Sequence, residues 1–189
     1  MFVPCGTIVS TRGRLSSDNM IQEATYSKTW SVPVVVLIDA DSASASEIFA
    51  AAIQDYKRGI IVGEQSYGKG TVQRNVSFGK PLDSLGIQTE YGAVKLTFQK
   101  FYRINGSSTQ RKGVASDIVL PDEYELFKYR ERDNPAALAW DQIQSSKYQP
   151  WVGGYNMDQI KQSMQLQQQM ELDSNTVKFN NNLKFIATK

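Results

Sequence analysis

The segment Val32–Ala40 (VPVVVLIDA) restricts the fold more than any other stretch of the chain. It is rich in β-branched residues and almost continuously apolar, the pattern of a strand buried on both faces. Its apolar run, Val32 to Ile38, falls far short of the ~20 residues that a membrane-spanning helix needs. Ala43–Tyr56 follows with helical periodicity, Ala45, Ile48, Ala52 and Tyr56 falling on one stripe. Gly59–Gly63 (GIIVG) then reads as a second buried strand. Strand, helix and strand over roughly 30 residues make a βαβ unit, with a parallel pair and a right-handed crossover. The expected class is α/β, with a βαβ-containing mixed sheet.

Other strands are weaker in pattern. Residues 6–12 predict an edge strand, followed by a polar stretch up to Thr29. Thr71–Phe78 and Ala93–Ile104 alternate in polarity and are joined by a turn-rich stretch, Gly79–Gly86. Asn105-Gly106 signals a turn, and Val114–Leu120 predicts a short strand ending before Pro121. From about Glu123 charge rises and β-branched runs vanish; Asn134-Pro135 precedes Ala-Ala-Leu-Ala-Trp, and Met157–Leu172 is a Gln/Met-rich helical stretch. The expected division is an α/β core over residues 1–122 and a mainly helical region over 123–189. A chain of 189 residues suffices for one core and a small attached unit.

Two absences narrow the chemistry. The chain has no histidine, which removes Ser-His-Asp and Cys-His catalysis and the usual His-based zinc sites. Its single cysteine, Cys5, forms no internal disulfide or thiolate cage. A net charge of +2 without a Lys/Arg cluster gives no electrostatic footprint for nucleic acid. The pairs Lys57-Arg58 and Arg111-Lys112 read as solvated surface. The first residues, Met-Phe-Val-Pro-Cys-Gly, lack the basic and apolar regions of a signal peptide and open directly on strand-like sequence, the expectation for a domain cut from a longer protein or for a truncated gene.

Two segments can carry chemistry. Asp41-Ser-Ala-Ser-Ala-Ser-Glu47 lies where a buried strand feeds a helix, so a serine there presents its hydroxyl near the positive end of the helix dipole and beside free backbone N–H groups. By itself the segment equally fits a helix cap: Ser44-x-x-Glu47 is a capping box, and Asp41 and Ser42 are good N-cap residues. Gly63-Glu-Gln-Ser-Tyr-Gly-Lys-Gly-Thr71 is a glycine-rich loop after a strand, close to the phosphate-binding G-x4-G-K-[ST]. Gly70, however, stands where a hydroxyl should hold magnesium, and the following residues favour a strand over the helix that should receive phosphates. A surface turn with a solvated lysine is the plain reading.

Together the segments acquire a shared role. Without histidine, a nucleophilic serine needs another base, and a desolvated lysine serves. The loops after two adjacent parallel strands leave the same sheet edge, so Ser44 and Lys69 project over that edge, and glycines beside Lys69 let it approach the serine.

Residues 41–73 closely resemble the active-site region of the C-terminal processing, or tail-specific, serine peptidases. VKLTFQKFYRINGSSTQRKGVASDIVLPD (94–122) and NPAALAWDQI (134–143) resemble the tail-specific branch. The resemblance implies Ser44 as nucleophile, Lys69 as general base, Gln73 as the residue that orients Lys69, and the Ala45 N–H as half of the oxyanion hole. It implies no metal and no cofactor. Its substrates are proteins with unstructured C-termini, and its place in Gram-negative bacteria is the periplasm. Asp55 also matches the motif, but eleven residues at ~100° each return it to the Ser44 face roughly 16 Å along the axis. It is expected to be a structural partner at the helix end. The family's Gly-Gly-Gly segment, source of the other oxyanion donor, and its PDZ domain match nothing here, which fits a fragment. The expected function is a Ser–Lys endopeptidase. Two other classes stand beside it: an inactive fragment that binds peptides through an exposed sheet edge, and nucleotide binding at Gly63–Thr71.

Overall fold

A computed structural model describes residues 2–25, 27–79, 91–120, 127–153 and 156–187. Most of the turn-rich stretch Gly79–Gly86 and the start of the charged region at Glu123 lie outside these residues. The described strands are β1 (Cys5–Gly13), β2 (Met20–Thr25), β3 (Val35–Ile38), β4 (Ile60–Gly63), β5 (Thr71–Ser77), β6 (Ala93–Tyr102) and β7 (Ile118–Val119); the helices are α1 (Ala45–Asp55) and α2 (Met157–Ala187). The α/β class holds, with parallel and antiparallel pairing divided between two sheets. One has the order β3-β4-β7 and is parallel; the other, β2-β1-β6-β5, is antiparallel.

The βαβ unit β3-α1-β4 forms as its sequence predicts, in the register Val35↔Ile60 to Ile38↔Gly63. Gly63 is required there: its φ is +121°, and a Cβ would lie 2.0 Å from the Ile38 carbonyl oxygen. All four residues of β4 are buried. On one face Ile61 packs with Ile38, Ala50, Ala51, Ile53 and Val114; on the other, Ile60 and Val62 pack with Ile118 and with Ile160 and Met164 of α2. Each fully buried aliphatic side chain of this kind contributes about 1.5–3 kcal/mol relative to exposure.

Four expectations are corrected. The run Val32–Ala40 is not buried on both faces: the strand is only Val35–Ile38, with Val35 53% and Leu37 75% exposed. The register places these two on the side of the sheet where Ile160 and Met164 of α2 pack against Ile60, Val62 and Ile118 of β4 and β7. Residues 6–12 do not form an edge strand, because β2 pairs along one side of β1 and β6 along the other. β2 was hidden within a polar stretch since only Ala24 of its residues is buried. The buried face of α1 is Glu47, Ala50, Ala51, Ala52 and Ile53, with Ala45 exposed and Ile48 half-buried. The helix packs against both sheets, Tyr56 joining Val3, Ala24 and Ile104, so a single stripe does not describe it. Finally, Arg58 is not solvated but fully buried. Its guanidinium donates to the carbonyls of Phe2, Trp30 and Val32 and lies 4.4 Å from the centre of the Trp151 ring.

Residues 127–153 carry one 3-10 turn, Glu131–Asp133, and otherwise run as irregular chain along the core. Ile143 N–H donates to Gly106 O at 2.8 Å, Ser146 N–H to Ile104 O at 2.8 Å, and Trp151 N–H to Tyr56 O at 2.8 Å. Helix α2 packs on the parallel sheet through a few of its side chains. Ile160 and Met164 meet the sheet, while Gln165 and Gln168 donate to the carbonyls of Asp117 and Val119 along β7. Among the described residues no helix is long and apolar enough to cross a membrane.

Candidate active site

The chain leaves β3 through a tight turn in which the Ser42 hydroxyl donates to Asp39 Oδ1 at 2.8 Å and accepts the Asp39 N–H at 3.1 Å. That hydroxyl is committed to the turn, so Ser42 is not the cap that its residue type suggested; the N-cap is Ser44. Ser44 then caps α1 with φ +57° and ψ −108°. A β-carbon-bearing residue held at positive φ stores roughly 1–3 kcal/mol of strain, and such residues concentrate at functional sites. A strained strand-to-helix turn is also the local geometry that exposes a nucleophilic hydroxyl.

Only half of the expected capping box exists. Glu47 Oε2 accepts the Ser44 N–H at 2.8 Å, but the Ser44 hydroxyl makes no capping hydrogen bond. Ala45 is the first residue of α1, so its N–H belongs to the first-turn donors that have no intrahelical acceptor.

Glu47 is the residue whose importance the sequence did not reveal. It is fully buried, and its carboxylate takes four donors: the Ser66 hydroxyl at 2.6 Å and Gly68 N–H at 2.7 Å on Oε1, and Ser44 N–H at 2.8 Å and Lys69 N–H at 2.9 Å on Oε2. The amides of Ser44 and Lys69 thus share one oxygen atom, and one side chain locks the serine turn to the lysine loop. Tyr67 N–H adds a bond to Ser42 O at 3.0 Å. Burial pushes the Glu47 carboxyl above its ordinary range, opposed by the Ser66 hydroxyl and the three backbone donors. A signal was present: Glu47 sits three and four residues before Ala50 and Ala51, a charge on an otherwise apolar helix face.

Lys69 is half-buried, and its Nζ donates to Thr71 O at 3.2 Å. The glycines flanking it serve another purpose than the one expected. Gly68 has φ +96°, and a Cβ there would meet the Arg111 backbone at 3.1 Å; a Cβ on Gly70 would lie 2.5 Å from Gln110 N. They allow the loop to seat against residues 108–111 rather than to clear a path to Ser44. Gln73 lies on exposed β5, its amide donating to Thr97 Oγ1 at 3.3 Å, and no bond among the described residues joins it to Lys69. Asp55, at the far end of α1, pairs with Arg103 through Oδ1 at 2.6 Å and Oδ2 at 3.0 Å and accepts from Asn105 at 3.1 Å.

The same loop has no free cradle for phosphate. The amides of Gly68 and Lys69 are taken by Glu47, and that of Gly70 by Gln110 Oε1 at 2.9 Å. A strand, β5, follows in place of a helix. The nucleotide-binding reading therefore finds no support here.

The fold and site define an α/β protein whose strained serine and loop lysine sit at one end of a parallel sheet, held by a buried carboxylate. The chain belongs to peptidase family S41, whose model matches residues 1–120. It is 43% identical over 158 residues to the tail-specific protease of Haemophilus influenzae, covering 82% of this chain and 22% of that protein. It is also 43% identical over 131 residues to the carboxy-terminal-processing protease of Bartonella bacilliformis, covering 67% of this chain and 28% of the relative. Among solved structures, the photosystem II D1 C-terminal processing protease matches at 33% identity and a TM-score of 0.49, over 65% of this chain and 29% of that one. The chain thus spans under a third of the length of each of these relatives.

Proposed function

We propose that this chain carries the nucleophile and general base of a serine endopeptidase that hydrolyses peptide bonds in proteins with unstructured C-termini. Ser44 Oγ attacks the scissile carbonyl, and Lys69 accepts its proton and later delivers it to the leaving amine. Water then releases the acyl group from Ser44. The Ala45 N–H, at the positive end of α1, faces the developing oxyanion. Gln73 enters this reading only through the family resemblance, because its amide is turned to Thr97. Asp55 supports the helix end through Arg103. The same resemblance to the tail-specific branch carries a periplasmic place of work.

The observation that most supports the reading is the Glu47 bridge, since it gives the positive-φ serine and the lysine loop a common anchor. The test is Ser44→Ala in the protein, assayed on a folded substrate with an unstructured C-terminal tail. Cleavage should vanish while the unfolding transition stays in place. Undiminished cleavage by the pure variant would remove Ser44 from the reaction.

A further inference from the structure

The lysine loop, residues 64–70, is held on one side by Glu47 and on the other by a segment beyond the family match. Arg130 Nη2 lies 2.6 Å from Glu64 Oε2, with the arginine side chain 7% exposed. Glu131 N–H donates to Tyr67 O at 3.2 Å, and Arg132 Nη1 to Gln65 Oε1 at 3.0 Å. A fourth link is indirect. Gln110 is fully buried; its Oε1 accepts the Gly70 N–H at 2.9 Å and its Nε2 donates to Glu131 Oε1 at 2.8 Å.

An amide side chain can satisfy both neighbours in one orientation only. Turned over, it would set its NH2 against the Gly70 N–H and its oxygen against the Glu131 carboxylate. Glu131 thereby dictates which way Gln110 faces, and Gln110 holds the residue next to Lys69. Such control matters because Lys69 lies between two glycines, whose backbone is intrinsically the least restrained. A displacement of about 1 Å in a proton-accepting group can lower turnover roughly 100-fold.

We propose that Gln110 and Glu131 are positioning residues for Lys69, and that Arg130–Arg132 form a clasp that keeps the lysine loop in register with Ser44. The catalytic half of this proposal rests on the Ser–Lys reading above; the clasp itself does not. Three variants of the protein test it: Glu131→Ala, which removes the acceptor; Glu131→Gln, which keeps a carbonyl oxygen for Gln110 Nε2; and Gln110→Ala. Glu131→Ala should lower kcat at least 10-fold with KM within twofold, and should speed amide hydrogen exchange at Gly68–Gly70 at least 10-fold. Glu131→Gln should stay within threefold of wild type in both, a rescue that general destabilisation would not produce. If Gln110→Ala does not fold, the Glu131 pair carries the test.

Unchanged exchange at Gly68–Gly70 in Glu131→Ala overturns the clasp, whether or not the protein cleaves anything. Faster exchange with wild-type kcat, alongside an inactive Ser44→Ala, overturns the positioning role alone. Equal loss in Glu131→Gln and Glu131→Ala overturns the control of Gln110 through its amide orientation. A Ser44→Ala variant that cleaves normally removes the peptidase reading instead, and the exchange data then decide the clasp by themselves.

Discussion

At the scale of single residues, Glu47 shows how one carboxylate can tie two loops together. Its two oxygens accept four bonds, so each is fully committed. Glu47→Gln preserves shape but presents an NH2 to two of those donors. With buried donors left unpaired at about 1–3 kcal/mol each, the variant should unfold at lower urea concentration and lose turnover at least 10-fold. Urea titration and kcat together check this, and wild-type values for both would refute the bridge. The pH dependence has a definite sign. The folded-state pKa of Glu47 is raised above 4.5, so the folded protein holds that proton more tightly than the unfolded chain. Its contribution to stability therefore declines as pH rises from 4.5 through the raised value, and Glu47→Gln should lack that slope.

At the scale of elements, helix α1 links the Ser44 turn at its N-terminus to an ion pair at its other end. The Asp55 and Arg103 side chains are 8% and 12% exposed and bound through two oxygens, tying α1 to the turn after β6. Removing one partner of such a buried pair typically costs about 3–5 kcal/mol. Asp55→Ala should accordingly lower the unfolding midpoint markedly, and any loss of activity should track the unfolded fraction. A variant of normal stability but no activity would give Asp55 a direct catalytic part, which its place at the far end of the helix argues against. The elements were also where sequence patterns were most legible. The runs VVLI and IIVG and the helix between them appear as β3, β4 and α1, and the apolar continuity of IIVG matches a strand buried on both faces. β2 was not legible: five of its six residues are exposed, so its pairing rather than its composition makes it a strand.

At the scale of the whole molecule, residues 127–153 join the antiparallel sheet to the rest through side chains as well as backbone hydrogen bonds. Asp141 takes the Lys100 ammonium at 2.6 Å and the Tyr102 hydroxyl at 3.1 Å, while the Trp140 indole donates to Ser108 O at 2.9 Å. Burial, followed by the Asp141 charge and its hydrogen bond, pushes the Tyr102 pKa to about 12. A pKa raised in the folded state means stability complete below the ordinary value of 10.0 and lost as pH climbs toward about 12. Thermal melts between these values should show that decline in wild type and a shallower one in Tyr102→Phe; identical slopes would exclude Tyr102 as its source.

By itself the sequence determined the βαβ unit and the absence of imidazole chemistry, and it placed Ser44 and Lys69 on the loops that follow two adjacent parallel strands. These follow from local periodicity, from composition and from the rule that adjacent parallel strands open onto one edge. Only the tertiary structure decided that Ser44 is held at positive φ, that its hydroxyl is not a cap, and that Glu47 joins the two loops. It alone showed Arg58 buried among carbonyls and the lysine loop seated on Gln110 and Glu131. The reason is physical: whether a polar side chain is solvated, capping or bridging depends on donors and acceptors tens of residues away. No short stretch of sequence carries that information.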